Sequence, residues 1–209
     1  ASLLPNYRGA APINWCLING EKETGVTTFF INHEIDKGDI LLQEKVPIKP
    51  SQNAGQLHDI LMGIGSKLVL KTVIGIENNS LSSIEQKSDK NVIQPAPKIY
   101  KKDCQINWTD TSETIYNFIR GLSPYPGAWT TLISKTDSSL LVKIYESEFI
   151  TEFHKFNIGE VVSNGKSYLK IACLNGFINV LNLQSAGKKR MNISDFLRGF
   201  QIEDYKNIQ

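Results

Sequence analysis

The sequence predicts an α/β region followed by a small β-barrel, and three observations predict it. Two strand-like runs precede a long stretch whose apolar residues recur at three- and four-residue spacing. A polar segment with two prolines comes next, and beyond it short β-rich runs recur at intervals of about ten residues. The 209 residues suit one large domain or two modest ones, and a 41% hydrophobic share is ordinary for a globular chain with a buried core.

In chain order, "ASLLPNYRG" opens on apolar residues that run into a loop stiffened by Pro5 and Gly9. Such a start, without Met or disposable polar residues, leads us to expect a cut chain. "APINWCLING" reads as a short helix, with Pro12 tolerated in its first turn and Asn19-Gly20 as its stop. Thr24 to Asn32 is β-branched and aromatic on both faces, the pattern of a central strand in a covered sheet. Ile40 to Ile48 reads as a second strand, its Pro47 marking an end or edge, and the short separation favours a hairpin. A long helix follows Ser51 to Asn53, with Leu57, Ile60, Leu61, Ile64, Leu68 and Val69 predicted on its buried face, and Asn78 to Ser80 ends it. Ser82 to Lys98 has a linker's composition. "TSETIYNFIRGL" predicts a capped helix with Ile115, Phe118, Ile119 and Leu122 on one stripe, stopped by "SPYPG". The runs "AWTTLI", "SLLVKIYESEF", "IGEVVS", "SYLKIAC" and "GFINVLNLQ" predict the barrel strands, and "ISDFLRGF" behind Asn192 predicts a last short helix.

Several classes are disfavoured. No apolar run approaches the roughly 18 to 20 residues that span a bilayer. Cys16, Cys104 and Cys173 are odd in number and form no Cys-x-x-Cys pair, so neither a disulfide framework nor a zinc ribbon is expected, and a reducing cytoplasm fits. The formal charge is only +2, but residues 98–209 hold 14 Lys+Arg against 11 Asp+Glu, so the basic excess lies in the second half.

Three stretches carry candidate chemistry. Asp36-Lys37-Gly38-Asp39 lies between the two strands, where Gly38 permits a positive φ; it reads as a plain turn or as a carboxylate poised to manage a proton. A metal site is not expected, because two acids on one turn, even beside His33 and Glu34, do not complete a coordination shell. Ser2-Leu3-Leu4-Pro5 reads as a loop packing its leucines, or as an apolar loop whose free backbone groups recognise a flat heterocycle at its edge. Gly187-Lys188-Lys189-Arg190 reads as a solvated basic turn or as a phosphate contact, with Tyr100, Lys101 and Lys102 extending the stripe. His33 has no assignable role, His58 reads as structural beside Leu57 and Leu61, and His154 sits in a polar loop. Trp15, Trp108 and Trp129 read as packing residues.

Taken together and in order, "SLLPNYRGAAPINW", "TGVTTFFINHEIDKGDILLQ", "QLHDILMGIGSKLVLKT", "PAPKIYKKDCQINW", "IYNFIRGLSPYPGAW" and "LQSAGKKRMNISDFLRGF" resemble the methionyl-tRNA formyltransferases over nearly the whole chain. The resemblance implies transfer of a formyl group from 10-formyltetrahydrofolate, without a metal, to the α-amino group of initiator methionyl-tRNA. It implies a fold in which residues 1–80 are the rear part of a Rossmann-like formyltransferase domain, 81–98 a linker, and 99–209 an OB-like C-terminal barrel with flanking helices that faces tRNA. Asp36 takes the place of the family's catalytic carboxylate, and Ser2, Leu3, Leu4 and Pro5 that of its folate segment. Lys188, Lys189 and Arg190 become the expected tRNA contacts. The family's catalytic Asn-x-His would lie just before Ala1, so the expectation is a monomeric, cytoplasmic chain that begins after it, has little activity alone and exposes an open sheet edge and apolar face. Sugar-nucleotide formyltransferases share the first signatures, and a noncatalytic RNA-binding module is the rival of another class.

Overall fold

A computed structural model describes residues 1–86 and 93–208. The chain divides into two units, Ala1–Ile99 and Tyr100–Gln209. Among the described residues, no helix is long and apolar enough to cross a membrane.

The first unit runs through β1 (Arg8–Gly9), α1 (Pro12–Ile18), β2 (Glu23–Phe29), β3 (Ile40–Pro47), α2 (Ala54–Glu77) and β4 (Pro95–Ala96). Strands β2 and β3 form an antiparallel hairpin from Glu23↔Pro47 to Phe29↔Ile40, with a register shift after Thr28. The expected strand to Asn32 therefore stops early: the Phe30 N–H still reaches the Asp39 carbonyl at 3.0 Å, but the chain then leaves the ladder. Nor is β2 central among the described residues, where its one ladder neighbour is β3.

Helix α2 starts where its cap dictates. The Asn53 side chain accepts from the Gln56 N–H at 2.9 Å, and Gln56 Oε1 accepts from the Asn53 N–H at 3.1 Å, so two otherwise orphaned donors are satisfied reciprocally. Ala54, Leu57, Leu61, Leu68, Thr72 and Gly75 form its buried stripe. Ile60 and Val69, expected on that stripe, are 41% and 53% exposed, and Met62, Leu70, Val73 and Ile74 are exposed as well. A two-stranded hairpin is too narrow to cover more than one seam of a 24-residue helix.

The segment expected as a linker does not hang free where it is described. Ile84 exchanges two backbone bonds of 2.8 Å with Ile40. Pro95–Ala96 pairs in parallel with Arg8–Gly9, and the Tyr7 N–H reaches the Gln94 carbonyl at 2.6 Å. Gln86 and Ala96 are buried. The remainder of that expected linker, residues 87–92, lies outside the described residues.

The second unit holds α3 (Ser112–Leu122), β5 (Ala128–Ser134), β6 (Ser139–Thr151), β7 (Val161–Ser163), β8 (Leu169–Cys173), β9 (Gly176–Ser185), β10 (Met191–Asn192), α4 (Ile193–Arg198) and β11 (Tyr205–Ile208). Its sheet order is β11-β5-β6-β9-β8-β7, with β10 added beside β9. Long β6 bends through register shifts around Glu146, as bulges bend a strand. The Ile208 N–H meets the Gly159 carbonyl at 3.0 Å, which carries the last strand back toward the chain entering β7. The result is a curled, partly closed barrel. Ile115, Ile119 and Leu122 of α3 are buried with Leu132, Ile144, Leu169, Ile178 and Leu183 of the strands. Helix α4 begins, as expected, behind Asn192, whose side chain accepts from the Asp195 N–H at 2.9 Å.

Candidate functional site

The ten residues between β2 and β3 place Asp36, and they do so under restraint. Asp36 adopts φ 56, a left-handed conformation that only Gly, Asn and Asp visit readily. Two contacts hold it there, one of them from a side chain, Gln86, that is itself anchored. Gln86 Nε2 donates to the Asp36 carbonyl at 3.0 Å and to the Gly38 carbonyl at 2.6 Å, while Gln86 Oε1 accepts from Arg8 Nη2 at 2.6 Å and Nε at 3.2 Å. The Gly9 N–H donates to Asp36 Oδ2 at 3.0 Å. Asp36 Oδ1 has no hydrogen bond among the described residues. The positive φ thus falls on Asp36, whereas the sequence had suggested Gly38 for it. Gly38 is needed for another reason: a Cβ there would lie 1.6 Å from the Phe30 carbonyl oxygen.

Asp36 is half-buried and shares the wall of a small cavity of about 130 Å³ with Ala1, Ser2, Leu4, Gly9 and Thr27. That is well below the roughly 300–1,000 Å³ of sites that enclose a whole ligand, so only the reacting end of a substrate would fit.

The Ser2–Pro5 loop meets this wall, but its backbone is less free than expected. Thr27 Oγ1 donates to the Ser2 carbonyl at 2.7 Å and accepts from the Leu4 N–H at 3.2 Å. Gln43 Nε2 donates to the Leu4 carbonyl at 2.8 Å, and the Leu3 carbonyl accepts from the Asn6 N–H at 3.1 Å. These groups fix the loop on β2 and β3 and are not offered to a heterocycle. Below it Tyr7, 7% exposed, donates its hydroxyl to Glu21 Oε1 at 2.6 Å. Burial, and then the Glu21 carboxylate, push its pKa well up.

In the second unit the basic turn is open. Gln184 Nε2 donates to the Lys188 carbonyl at 2.8 Å, and the Ala186 N–H reaches the Leu141 carbonyl at 3.0 Å. Lys188 and Lys189 are exposed, and their ammonium groups make no ion pair among the described residues. Arg190 differs. It donates through Nη2 to Glu146 at 2.6 Å and through Nε to Asn182 at 2.5 Å, and lies 4.6 Å over the Tyr145 ring. Lys101 and Lys102 are exposed at the start of this unit.

Arg8, Gln86, Thr27 and Gln43 were not singled out in the sequence. Gln86 sits in a stretch read as linker, and Thr27 within an ordinary β-branched run; neither carries a signal. His33 and His58 are exposed. His154 sits in the loop after β6, as expected, but its side chain is packed: its Nε2 lies 2.8 Å from the Cys173 carbonyl and its ring 4.7 Å from that of Phe177. The indole N–H groups of Trp15, Trp108 and Trp129 bond Pro97, Thr130 and Lys101, in keeping with packing. Among the described residues, no group of three His, Cys, Asp or Glu side chains could hold a metal.

Two family models match, one described as "Formyl transferase" over residues 1–73 and one as "Formyl transferase, C-terminal domain" over residues 98–201. A protein of Phocaeicola vulgatus named methionyl-tRNA formyltransferase is 50% identical over the whole chain, which spans 65% of that relative's length. Among solved structures, an N-formyltransferase from Helicobacter canadensis in complex with folinic acid and dTDP-3-aminofucose is 25% identical, with TM-score 0.62, covering 91% of this chain and 64% of that one. A HypX variant from Aquifex aeolicus shares the fold at TM-score 0.68 and 19% identity, over 94% of this chain and 35% of that one.

Proposed function

Because the chain belongs to the formyl transferase family, we propose that it takes part in moving a formyl group from 10-formyltetrahydrofolate to the α-amino group of initiator methionyl-tRNA. The observation that carries this reading is the Asp36 carboxylate, held in an uncommon conformation on the wall of a cavity shared with Ser2 and Leu4.

The reaction joins the amine nitrogen to the formyl carbon, gathers charge on the carbonyl oxygen, and then breaks the bond to the folate nitrogen. The attacking nitrogen loses a proton and the leaving nitrogen gains one. Asp36 Oδ1 is the acceptor for the first and, directly or through water, the donor for the second, a role commonly worth roughly 10²–10⁴ in rate. Oδ2, bonded to Gly9, orients the group. The oxyanion needs fixed donors, each commonly worth roughly 10²–10³. The resemblance assigns these to an Asn and a His in an Asn-x-His triplet, and no such triplet occurs in these 209 residues. The 209 residues alone are therefore expected to transfer formyl groups slowly.

Ser2, Leu3, Leu4 and Pro5 bind the folate in this reading, mainly through shape and the apolar side chains, since Thr27 and Gln43 occupy the Ser2 carbonyl and both backbone groups of Leu4. Lys188 and Lys189 supply charge toward tRNA phosphates, and Arg190 a steadier surface beside them. The relative at 50% identity favours the tRNA acceptor over an amino sugar, whose enzyme is 25% identical. The test is a chimera in which the part of the Phocaeicola vulgatus relative preceding the matched region is joined to Ala1, assayed with both acceptors. Formylation of methionyl-tRNA supports the reading. Formylation of a dTDP-amino sugar alone overturns it in favour of the sugar enzyme, and binding of tRNA without either transfer favours a noncatalytic module.

A further inference from the structure

We infer that Tyr125 is a stacking platform for an unpaired nucleotide of the RNA that meets the second unit. This inference rests on the tRNA reading above and extends it to a residue that reading does not use.

The Ser123–Gly127 loop leaves α3 and enters β5, and sequence alone makes it a helix stop. In the fold it is a fixed pedestal. The Gly127 N–H bonds the Leu122 carbonyl at 2.8 Å, and Lys143 Nζ donates to the Pro126 carbonyl at 2.7 Å. Gly127 sits at φ +86, and a Cβ there would lie 3.1 Å from Lys143 Cδ and 3.2 Å from the Tyr145 ring. The loop is thus seated directly on β6. From this seat Tyr125 projects with 83% of its surface exposed. A large ring displayed from a pinned backbone loses little freedom on binding, which is the usual argument for aromatic residues at contact surfaces.

What surrounds the pedestal names the partner. Tyr145, against which Gly127 packs, donates its hydroxyl to Gln184 Oε1 at 2.9 Å, and Gln184 in turn holds the Lys188 carbonyl at 2.8 Å. The Arg190 guanidinium covers the Tyr145 ring. One buried tyrosine therefore supports both the Tyr125 loop and the basic turn. Glu146 is paired with Arg190, and Lys188 and Lys189 make no ion pair among the described residues, which leaves their charge unneutralised on the turn that Gln184 links to this same tyrosine. Cations that follow a phosphate backbone together with an aromatic face for a base are the two parts of a single-stranded RNA site. An acidic peptide would satisfy the lysines and leave Tyr125 without a role.

The experiment measures binding of the 209-residue chain to in vitro transcribed initiator tRNA and to a blunt 12-base-pair RNA duplex, across a salt series. Tyr125→Ala is expected to weaken tRNA binding about tenfold, within the range found for removing one base–aromatic stack, and to leave duplex binding and the salt slope unchanged. Tyr125→Phe and Tyr125→Trp should bind within about twofold of the parent, because stacking needs the ring and not the hydroxyl. Unchanged tRNA binding in Tyr125→Ala, equal losses on the duplex, equal losses in Tyr125→Phe, or displacement of tRNA by polyglutamate as effective as by RNA would each overturn the inference. If Lys188→Ala with Lys189→Ala weakens binding while Tyr125→Ala does not, stacking alone falls. If the parent chain binds no tRNA even at low salt, the tRNA reading falls first.

Discussion

The loop that carries Asp36 and the turn that carries Lys188 and Lys189 are both short connections after a β-strand, yet they are built in opposite ways. Asp36 is cross-linked: Gly9 holds its carboxylate and Gln86 its carbonyl, and Gly38 passes so close to Phe30 that no side chain fits. Lys188 is anchored through its backbone, and the side chains of Lys188 and Lys189 end in solvent. The contrast follows from the chemistry proposed for each. Moving a proton between two nitrogens tolerates little misplacement, whereas attraction to phosphates acts over about 8 to 10 Å at physiological salt and is served by long mobile cations.

If the contrast is sound, perturbations of the two loops should differ in kind as well as size. The largest effect is expected from Gly38→Ala, which forces backbone apart at the base of the Asp36 loop. We expect about 1–3 kcal/mol lost in chemical denaturation, by analogy with overpacked interiors, together with a fall in the chimera's kcat of more than a hundredfold. Gln86→Ala comes next. It strips a buried donor from two carbonyls, costs about 1–3 kcal/mol, and should lower kcat with little change in KM for tRNA. A KM effect there would blur the distinction between the loops. The pair Lys188→Glu and Lys189→Glu should do the reverse, raising KM for tRNA roughly tenfold at moderate salt with kcat and melting temperature unchanged. Equal tRNA dependence of parent and variant over a salt series would make the turn a solvated surface only.

The smallest effect tests the packing beneath the Ser2–Pro5 loop. Tyr7 is held neutral by burial and by Glu21. Because its folded pKa is raised, its contribution is intact below the ordinary tyrosine value of about 10 and is lost as pH climbs from there toward the folded value. Tyr7→Phe should therefore cost about 1 kcal/mol at neutral pH and flatten the alkaline loss of stability. A steeper alkaline loss would mean that another group dominates.

Much of this was legible in the residues. The cap at Asn53 and the three- and four-residue spacing after it locate α2, and the alternating runs locate β5 to β9. What stayed hidden rests mainly on the backbone. The β1 and β4 pairing and the Ile40 and Ile84 bridge use main-chain groups, which leave no side-chain pattern, so a bonded segment looked like a linker. Ile60 and Val69 fit the helical period but not the narrow surface α2 meets. The Asp-Lys-Gly-Asp turn offered two carboxylates, of which the family resemblance singled out Asp36, but the Gln86 clamp comes from 50 residues away and no local signal announces it. Arg190 looked like its lysine neighbours until Glu146, 44 residues earlier, was brought beside it.

The most direct measurement is a single-turnover rate of formyl transfer, at saturating folate and methionyl-tRNA, in the chimera bearing Asp36→Asn. The account predicts a chemical step slowed at least a hundredfold, with both substrates bound within about threefold of the parent. A chemical step at the parent rate would remove Asp36 from the reaction.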